Sequence, residues 1–202
     1  MNNEKKTTRA AKLLAKTDLQ GKLITKVAPI YNKTNEIKPA RKLIEMTTGI
    51  SKERLLPTFT NIRFSKWFKK HAPKLGNKRD VKAALFPTCL VEYQNPDIGK
   101  AAVNVYEKNG IECTLPEGQV CCGMPHLDGG DVEKFKENAR KNVAVLSKAI
   151  DEGYDIVVPQ PTCGYVLKKD YFDYLGTEDA KKVADNTYDI SEYLIKQHKN
   201  DP

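Results

Sequence analysis

Apolar positions change their period partway along this chain of 202 residues. From residue 81 onward, short continuous apolar runs alternate with longer segments in which apolar residues recur every three or four positions. Val81 to Phe86 is such a run, closed by Pro87-Thr88-Cys89, and predicts a buried strand leading into a turn. Asn95-Pro96-Asp97 opens a helix whose Ile98, Ala101, Ala102, Val105 and Tyr106 share one face, and Asn109-Gly110 ends it. Further strands are expected over Ile111 to Leu115 and Tyr154 to Val158. Between them lie a glycine-rich loop, Pro116 to Asp131, and a long helical pattern, Val132 to Glu152, with Phe135, Ala139, Val143, Leu146 and Ile150 on one stripe. Strands alternating with helices of this length predict an α/β fold, with right-handed βαβ units around a small parallel sheet.

Before residue 81 the pattern is helical. Thr17-Asp18-Leu19-Gln20 has the form of a capping box, with Leu19, Leu23 and Val27 following at helical spacing and Pro29 expected to end the helix. Pro39 suits the first turn of a second helix, which runs through Leu43 and Met46 and stops near Gly49. Leu55 to Phe68, with Phe64 and Trp67, carries enough apolar bulk to pack against something, and Lys74 to Arg79 reads as a linker. The chain thus divides into a basic helical segment with its linker, residues 1–80, and an α/β module, residues 81–202.

Charge sharpens that division. The net charge is +8, yet residues 1–82 hold 21 Lys and Arg against 6 Asp and Glu, while the remaining 120 hold 13 against 20. The basic half suits anionic lipid headgroups, at about 1 kcal/mol for each Lys or Arg near the surface, or a protein partner. No nucleic-acid motif accompanies the charge, so nucleic acid is not an expected partner. Apolar runs fall far short of the roughly 20 residues of a membrane span, and no secretory h-region follows Met1 to Lys6. A soluble or peripheral, intracellular protein is expected.

Five cysteines in such a chain suggest metal ligands or redox thiols rather than a disulfide framework. Cys89, the pair Cys121-Cys122, and Cys163 each follow an expected strand, and a parallel sheet brings such positions to one edge, where sites form. Four soft thiolates suit zinc or an iron-sulfur cluster. Short Cys-x-x-Cys knuckles are missing, and adjacent side chains that diverge fit separate irons better than one tetrahedral ion, so a cluster is favoured and zinc is the alternative. Helix N-termini just after Cys163 and after the glycine-rich loop would aim backbone amides at such a group. Cys113 lies inside an expected strand and reads as structural, His126 as a loop hydrogen-bonding residue, and Tyr165 as packing or capping. A disulfide between Cys121 and Cys122 would be strained. A thiol-disulfide enzyme would need a reachable thiol of low pKa. The separate contexts of His71, His126 and His198 offer no paired nucleophile, and no phosphate-binding glycine fingerprint follows a strand.

Cys89, the turn Cys121-Cys122-Gly123-Met124-Pro125 and Pro161-Thr162-Cys163 resemble one copy of the cysteine-rich CCG module found in the B subunit of heterodisulfide reductase and its relatives. Thr17-Asp18-Leu19-Gln20-Gly21, Ala28-Pro29-Ile30-Tyr31-Asn32, Lys38-Pro39-Ala40-Arg41 and Leu56-Pro57, followed by Phe64 and Trp67, resemble the middle of the C subunits of anaerobic glycerol-3-phosphate dehydrogenases. The likeness runs from Ala10 to His198. It implies an electron-transfer component rather than a stand-alone enzyme, with a 4Fe-4S cluster on Cys89, Cys121, Cys122 and Cys163, working between flavin-containing dehydrogenase subunits and a quinone. It also implies a cytoplasmic protein, peripheral at the inner face of the cell membrane through its basic segment. The alternative is a metal-free or zinc-stabilised interaction module. Full-length members of that family begin with a ferredoxin-like segment and end with a second CCG module, so a central piece of a longer protein is expected. Where the broader family often has a second cysteine three residues on, this chain has Val166, which cannot bind metal.

Overall fold

Four short strands among the described residues, β1 (Lys82–Leu85), β2 (Glu112–Thr114), β3 (Asp155–Val158) and β4 (Thr187–Asp189), pair in parallel in the order β2-β1-β3-β4. The computed structural model describes residues 9–75 and 80–200. Ahead of the sheet come α1 (Arg9–Ala15), α2 (Thr17–Ile24), α3 (Ala28–Asn35), α4 (Lys38–Thr48) and α5 (Phe64–Phe68). α6 (Pro96–Lys108) connects β1 to β2, and α7 (Met124–Asp128) with α8 (Val132–Asp151) connects β2 to β3. α9 (Pro161–Tyr165), α10 (Tyr171–Leu175) and α11 (Glu178–Asp185) lead to β4, and α12 (Ile190–Asn200) follows it. Wider π-helical turns, Leu90–Gln94 and Val166–Asp170, adjoin Cys89 and α9.

The strands read as apolar runs because helices cover both faces of the sheet. Side chains alternate between the faces. Ala83, Leu85 and Val157 pack with Phe64, Val103, Tyr106 and Tyr193 of α5, α6 and α12. Ala84, Phe86, Ile156 and Val158 pack on the other side with Phe135, Ala139 and Leu146 of α8 and with Ala180 and Val183 of α11. Each fully buried Val, Ile, Leu or Phe among them contributes roughly 1.5–3 kcal/mol. The strand order also fixes where a site forms. β2 lies on one side of β1 and β3 on the other, so the chain reverses its winding direction at the carboxyl ends of β1 and β3, where parallel sheets open a crevice.

The three strands and two long helices expected after residue 80 are present, with ends moved by a residue or two. β4 was not expected, because its Thr187-Tyr188-Asp189 carries no apolar run and forms through backbone pairing with Ile156, Val157 and Val158. The first half departs more. The capping box at Thr17 does not form: α1 ends at Ala15 and Lys16 takes the capping position, so Thr17 and Asp18 already lie in the first turn of α2, while Gln20 donates to the Leu13 carbonyl at 2.6 Å. Leu19, Leu23 and Val27 do not face a core; they are 53%, 55% and 49% exposed, and the inward position is Gly21. Pro29 opens a helix instead of ending one, since it sits in the first turn of α3, where its missing N–H costs no hydrogen bond. α4 starts and stops where Pro39 and Gly49 predict, with Gly49 left-handed at φ 75°, but Leu43 and Met46 are exposed. Of the expected linker, residues 76–79 lie outside the described residues.

Candidate metal centre

Three loops at the crevice carry the four cysteines. β1 runs into Phe86-Pro87-Thr88-Cys89, with Thr88 held at φ 60°. A left-handed threonine costs on the order of 1–2 kcal/mol, and here it turns the chain so that Cys89 starts the next helical turn. Its hydroxyl accepts the Val91 N–H at 3.4 Å. The loop after β2 delivers Cys121-Cys122 and ends at Gly123, which caps α7 at φ 96°. A Cβ there would lie 2.7 Å from Cδ2 of Phe135, so both backbone conformation and space demand glycine directly after the cysteine pair. Cys163 sits inside α9, whose N-cap Gln160 accepts from the Cys163 thiol at 3.6 Å. The helix expected to begin after Cys163 therefore begins before it, at Pro161.

Cys121, Cys122 and Cys163 are buried and Cys89 is partly buried. The Sγ atoms of Cys122 and Cys163 are 3.3 Å apart. The neighbouring thiols of Cys122 and then Cys89 pull the Cys121 thiol far below the ordinary range. The same proximity pushes the other two up: Cys122 through Cys121 and then Cys163, and Cys89 through Cys121 and then burial. The four thiols thus lie as neighbours in the order Cys89, Cys121, Cys122, Cys163, with the last two in contact. As they stand, no three His, Cys, Asp or Glu side chains among the described residues are spaced to hold a single metal ion. What the chain of thiols offers is soft sulfur donors aligned side by side, a donor set suited to a metal-sulfur group with several metal atoms.

The turn bearing the pair is tied down by buried polar side chains. Asn142 of α8 is fully buried; its Oδ1 accepts the Val120 N–H at 2.8 Å and its Nδ2 donates to the Val120 carbonyl at 3.0 Å. The same Nδ2 donates to the Tyr171 hydroxyl at 2.8 Å, and that hydroxyl donates to the Cys122 carbonyl at 3.0 Å. Asn138 donates to the Cys121 carbonyl at 3.2 Å. Burial, first of all, pushes the Tyr171 phenol well up, so it remains a donor. On the other side, two residues of α2 reach the site. The Cys121 N–H donates to Asp18 Oδ2 at 2.6 Å, and the Cys89 thiol donates to the Thr17 hydroxyl at 3.2 Å.

None of these supporting residues was read from the sequence. Asn138 and Asn142 were visible as polar positions beside the apolar stripe of α8, and Thr17-Asp18 had the form of a local cap. Cys113 lies in β2 with the apolar cluster around Phe64, apart from the other thiols, and burial pushes it up to about 12. His126 is buried in α7, its Nδ1 4.0 Å from Asp131. Tyr165 is exposed, with Lys169 5.9 Å from its ring centre. Val166 is fully buried in the same apolar cluster as Cys121, Cys122 and Cys163. A cavity of about 520 Å³ opens beside Cys89 and Cys121, walled also by Phe68, Phe86 and Tyr93, and a second of about 550 Å³ lies between Cys121, α1 and His126.

The family of CCG cysteine-rich domains matches residues 83–168, a span holding all four neighbouring thiols. Residues 83–168 form a CCG domain. The chain is similar to the C subunit of anaerobic glycerol-3-phosphate dehydrogenase from Escherichia coli strain K12, with 29% identity over 168 residues, covering 83% of this chain and 42% of that protein. It is similar to lactate utilization protein A of Bacillus velezensis, with 32% identity over 121 residues, 57% of this chain and 48% of that one. The B subunit of fumarate reductase (CoM/CoB) from Methanothermobacter marburgensis is 36% identical over 121 residues, 59% of this chain and 22% of that one. The chain therefore spans less than half the length of each of these relatives. No solved structure matches it significantly. Among the described residues, no helix is long and apolar enough to cross a membrane.

Proposed function

We propose that the CCG domain holds an iron-sulfur cluster of the 4Fe-4S type on Cys89, Cys121, Cys122 and Cys163, and that the chain is an electron-transfer component of an oxidoreductase complex. The observation that carries the proposal is the gathering of four neighbouring thiols, Cys122 and Cys163 in contact at 3.3 Å, at the point where the sheet reverses its winding. When bound, the cluster would supply one-electron transfer. The chain's own residues bind through the four sulfurs, hold the cysteine turn by Asn138, Asn142 and Tyr171, and bury three of the four thiols away from water. The names of the similar proteins, subunits of a dehydrogenase and of a reductase among them, support a partner of that kind. A flavin-dependent dehydrogenase as donor and a quinone as acceptor follow, with glycerol-3-phosphate dehydrogenase the first donor to try. The basic helical segment before the sheet contacts that partner or the inner membrane surface.

The test is a serine series in protein reconstituted anaerobically with iron and sulfide. Replacing Cys121 and Cys122 together abolishes iron binding, replacing Cys89 or Cys163 lowers or destabilises it, and Cys113→Ser leaves it unchanged. Iron retained at the wild-type level by the double variant removes the pair from the site.

A further inference from the structure

We propose that Asp18 and Thr17 are positioning residues for the thiol site, which makes the basic helical segment part of the centre. The proposal deepens the cluster assignment above and rests on it for its first test only.

Asp18 lies 103 residues before the amide that it binds. Its Oδ2 accepts the Cys121 N–H at 2.6 Å, while its Oδ1 lies 3.4 Å from the Tyr93 hydroxyl and 4.0 Å from the Cys89 sulfur. The side chain therefore bridges two of the three cysteine loops. Thr17, at the adjacent position, places its hydroxyl 3.2 Å from Cys89 Sγ. The placement is built in at the next turn of α2. Gly21 lies flat on the Tyr93 ring, where a Cβ would come within 2.4 Å of ring carbons, so only glycine lets the helix approach closely enough for Asp18 to reach the loop.

From the sheet onward, the chain holds the two cysteines of the turn through their carbonyls. Asn138, Asn142 and Tyr171 fix the carbonyls of Cys121 and Cys122, and the Cys121 amide is fixed from the helical segment before the sheet, by Asp18. A carboxylate pressed against thiols is costly company, since burial raises the Asp18 pKa and the nearby sulfur adds to that. The hydrogen bond from the Cys121 amide, the Lys22 charge and the Tyr93 hydroxyl, in that order, offset the cost. An amide of the same shape would still accept the Cys121 N–H through its oxygen, with its nitrogen donating to the Tyr93 oxygen in place of the present bond, and a methyl group would do neither.

Asp18→Ala, Asp18→Asn, Thr17→Ala and Thr17→Ser in the full chain separate positioning from mere packing. In the reconstituted protein, iron loss to a ferrous chelator is expected to be at least tenfold faster for Asp18→Ala, and within twofold of wild type for Asp18→Asn. In iron-free protein, labelling by an uncharged maleimide, read cysteine by cysteine through peptide mapping, should speed up at least tenfold at Cys121 in Asp18→Ala. Asp18→Asn should label like wild type, and Cys113 should be unaffected throughout. Thr17→Ala should accelerate Cys89 in the same way and Thr17→Ser should not. Wild-type labelling of Cys121 in Asp18→Ala, or equal acceleration by alanine and asparagine, overturns the proposal. If wild type takes up no iron, the cluster assignment fails and the labelling comparison alone decides the roles of Asp18 and Thr17. Should Asp18→Ala fail to fold, the Thr17 pair carries the same decision at Cys89.

Discussion

Replacing Asn142 by leucine probes the scaffold of the cysteine turn without touching a thiol. Leucine is close to asparagine in size and suits a fully buried position on α8, so packing alone predicts little change. Hydrogen bonding predicts a large one. Asn142 accepts from the Val120 amide, donates to the Val120 carbonyl and donates to the Tyr171 hydroxyl, which itself holds the Cys122 carbonyl. An orphaned buried polar group costs about 1–3 kcal/mol, and two are left, the N–H and C=O of Val120, since the Tyr171 hydroxyl still donates to the Cys122 carbonyl; Val120 is only partly buried and can recruit water. After the apolar gain of a buried leucine, the net loss should be about 2–4 kcal/mol. For a chain of this size each kcal/mol lowers Tm by about 2–4 °C, so a fall of roughly 4–16 °C is expected. Urea unfolding supplies the free energy, and maleimide labelling should show Cys121 and Cys122 reacting faster in the variant. A stability loss below about 1 kcal/mol, with unchanged labelling of the pair, would refute the role assigned to Asn142.

Gly21→Ala should lift α2 from Tyr93, since the new Cβ meets the ring at 2.4 Å; limited proteolysis should then cut residues 9–50 faster while leaving β1 to α12 protected. Cleavage at the wild-type rate would show that α2 docks by other contacts. Alkaline pH should destabilise the fold. Burial raises the Cys113 thiol from 9.0 to about 12, and the hydrogen bond to Glu112 raises the Tyr154 phenol from 10.0 to about 12. Both groups hold their protons more tightly when folded, so their contribution is whole below pH 9 and is lost as pH rises towards 12. Urea midpoints measured from pH 8 to 11 should fall less steeply for Cys113→Ala than for wild type, and parallel slopes would contradict the assignment.

The α/β half was legible because burial on both sides of a parallel sheet forces continuous apolar runs such as Ile156 to Val158, and a single buried face forces the stripe of α8. The cysteines were legible for the same reason: topology places loop ends, and Cys89, Cys121, Cys122 and Cys163 all follow strands. β4 escaped because three residues with one apolar side chain carry no period, and its order comes from the neighbouring strand. In the first half the period misled. Leu19 and Leu23 recur at helical spacing but face outwards, and the contact is made by Gly21, whose lack of a side chain leaves no mark in a hydrophobic pattern. Thr17 and Asp18 are good local caps, and nothing local distinguishes a cap from a hydrogen bond to a loop 103 residues away.

The central claim is that four thiols gathered at one edge of a parallel sheet hold a cluster. Anaerobic purification of the chain, with iron, acid-labile sulfide and zinc quantified together and electron paramagnetic resonance recorded after reduction, tests it most directly. The account predicts iron and sulfide in equal amounts, about four of each per chain, with a paramagnetic signal in the reduced protein. Stoichiometric zinc without iron, or no metal after reconstitution, would contradict it.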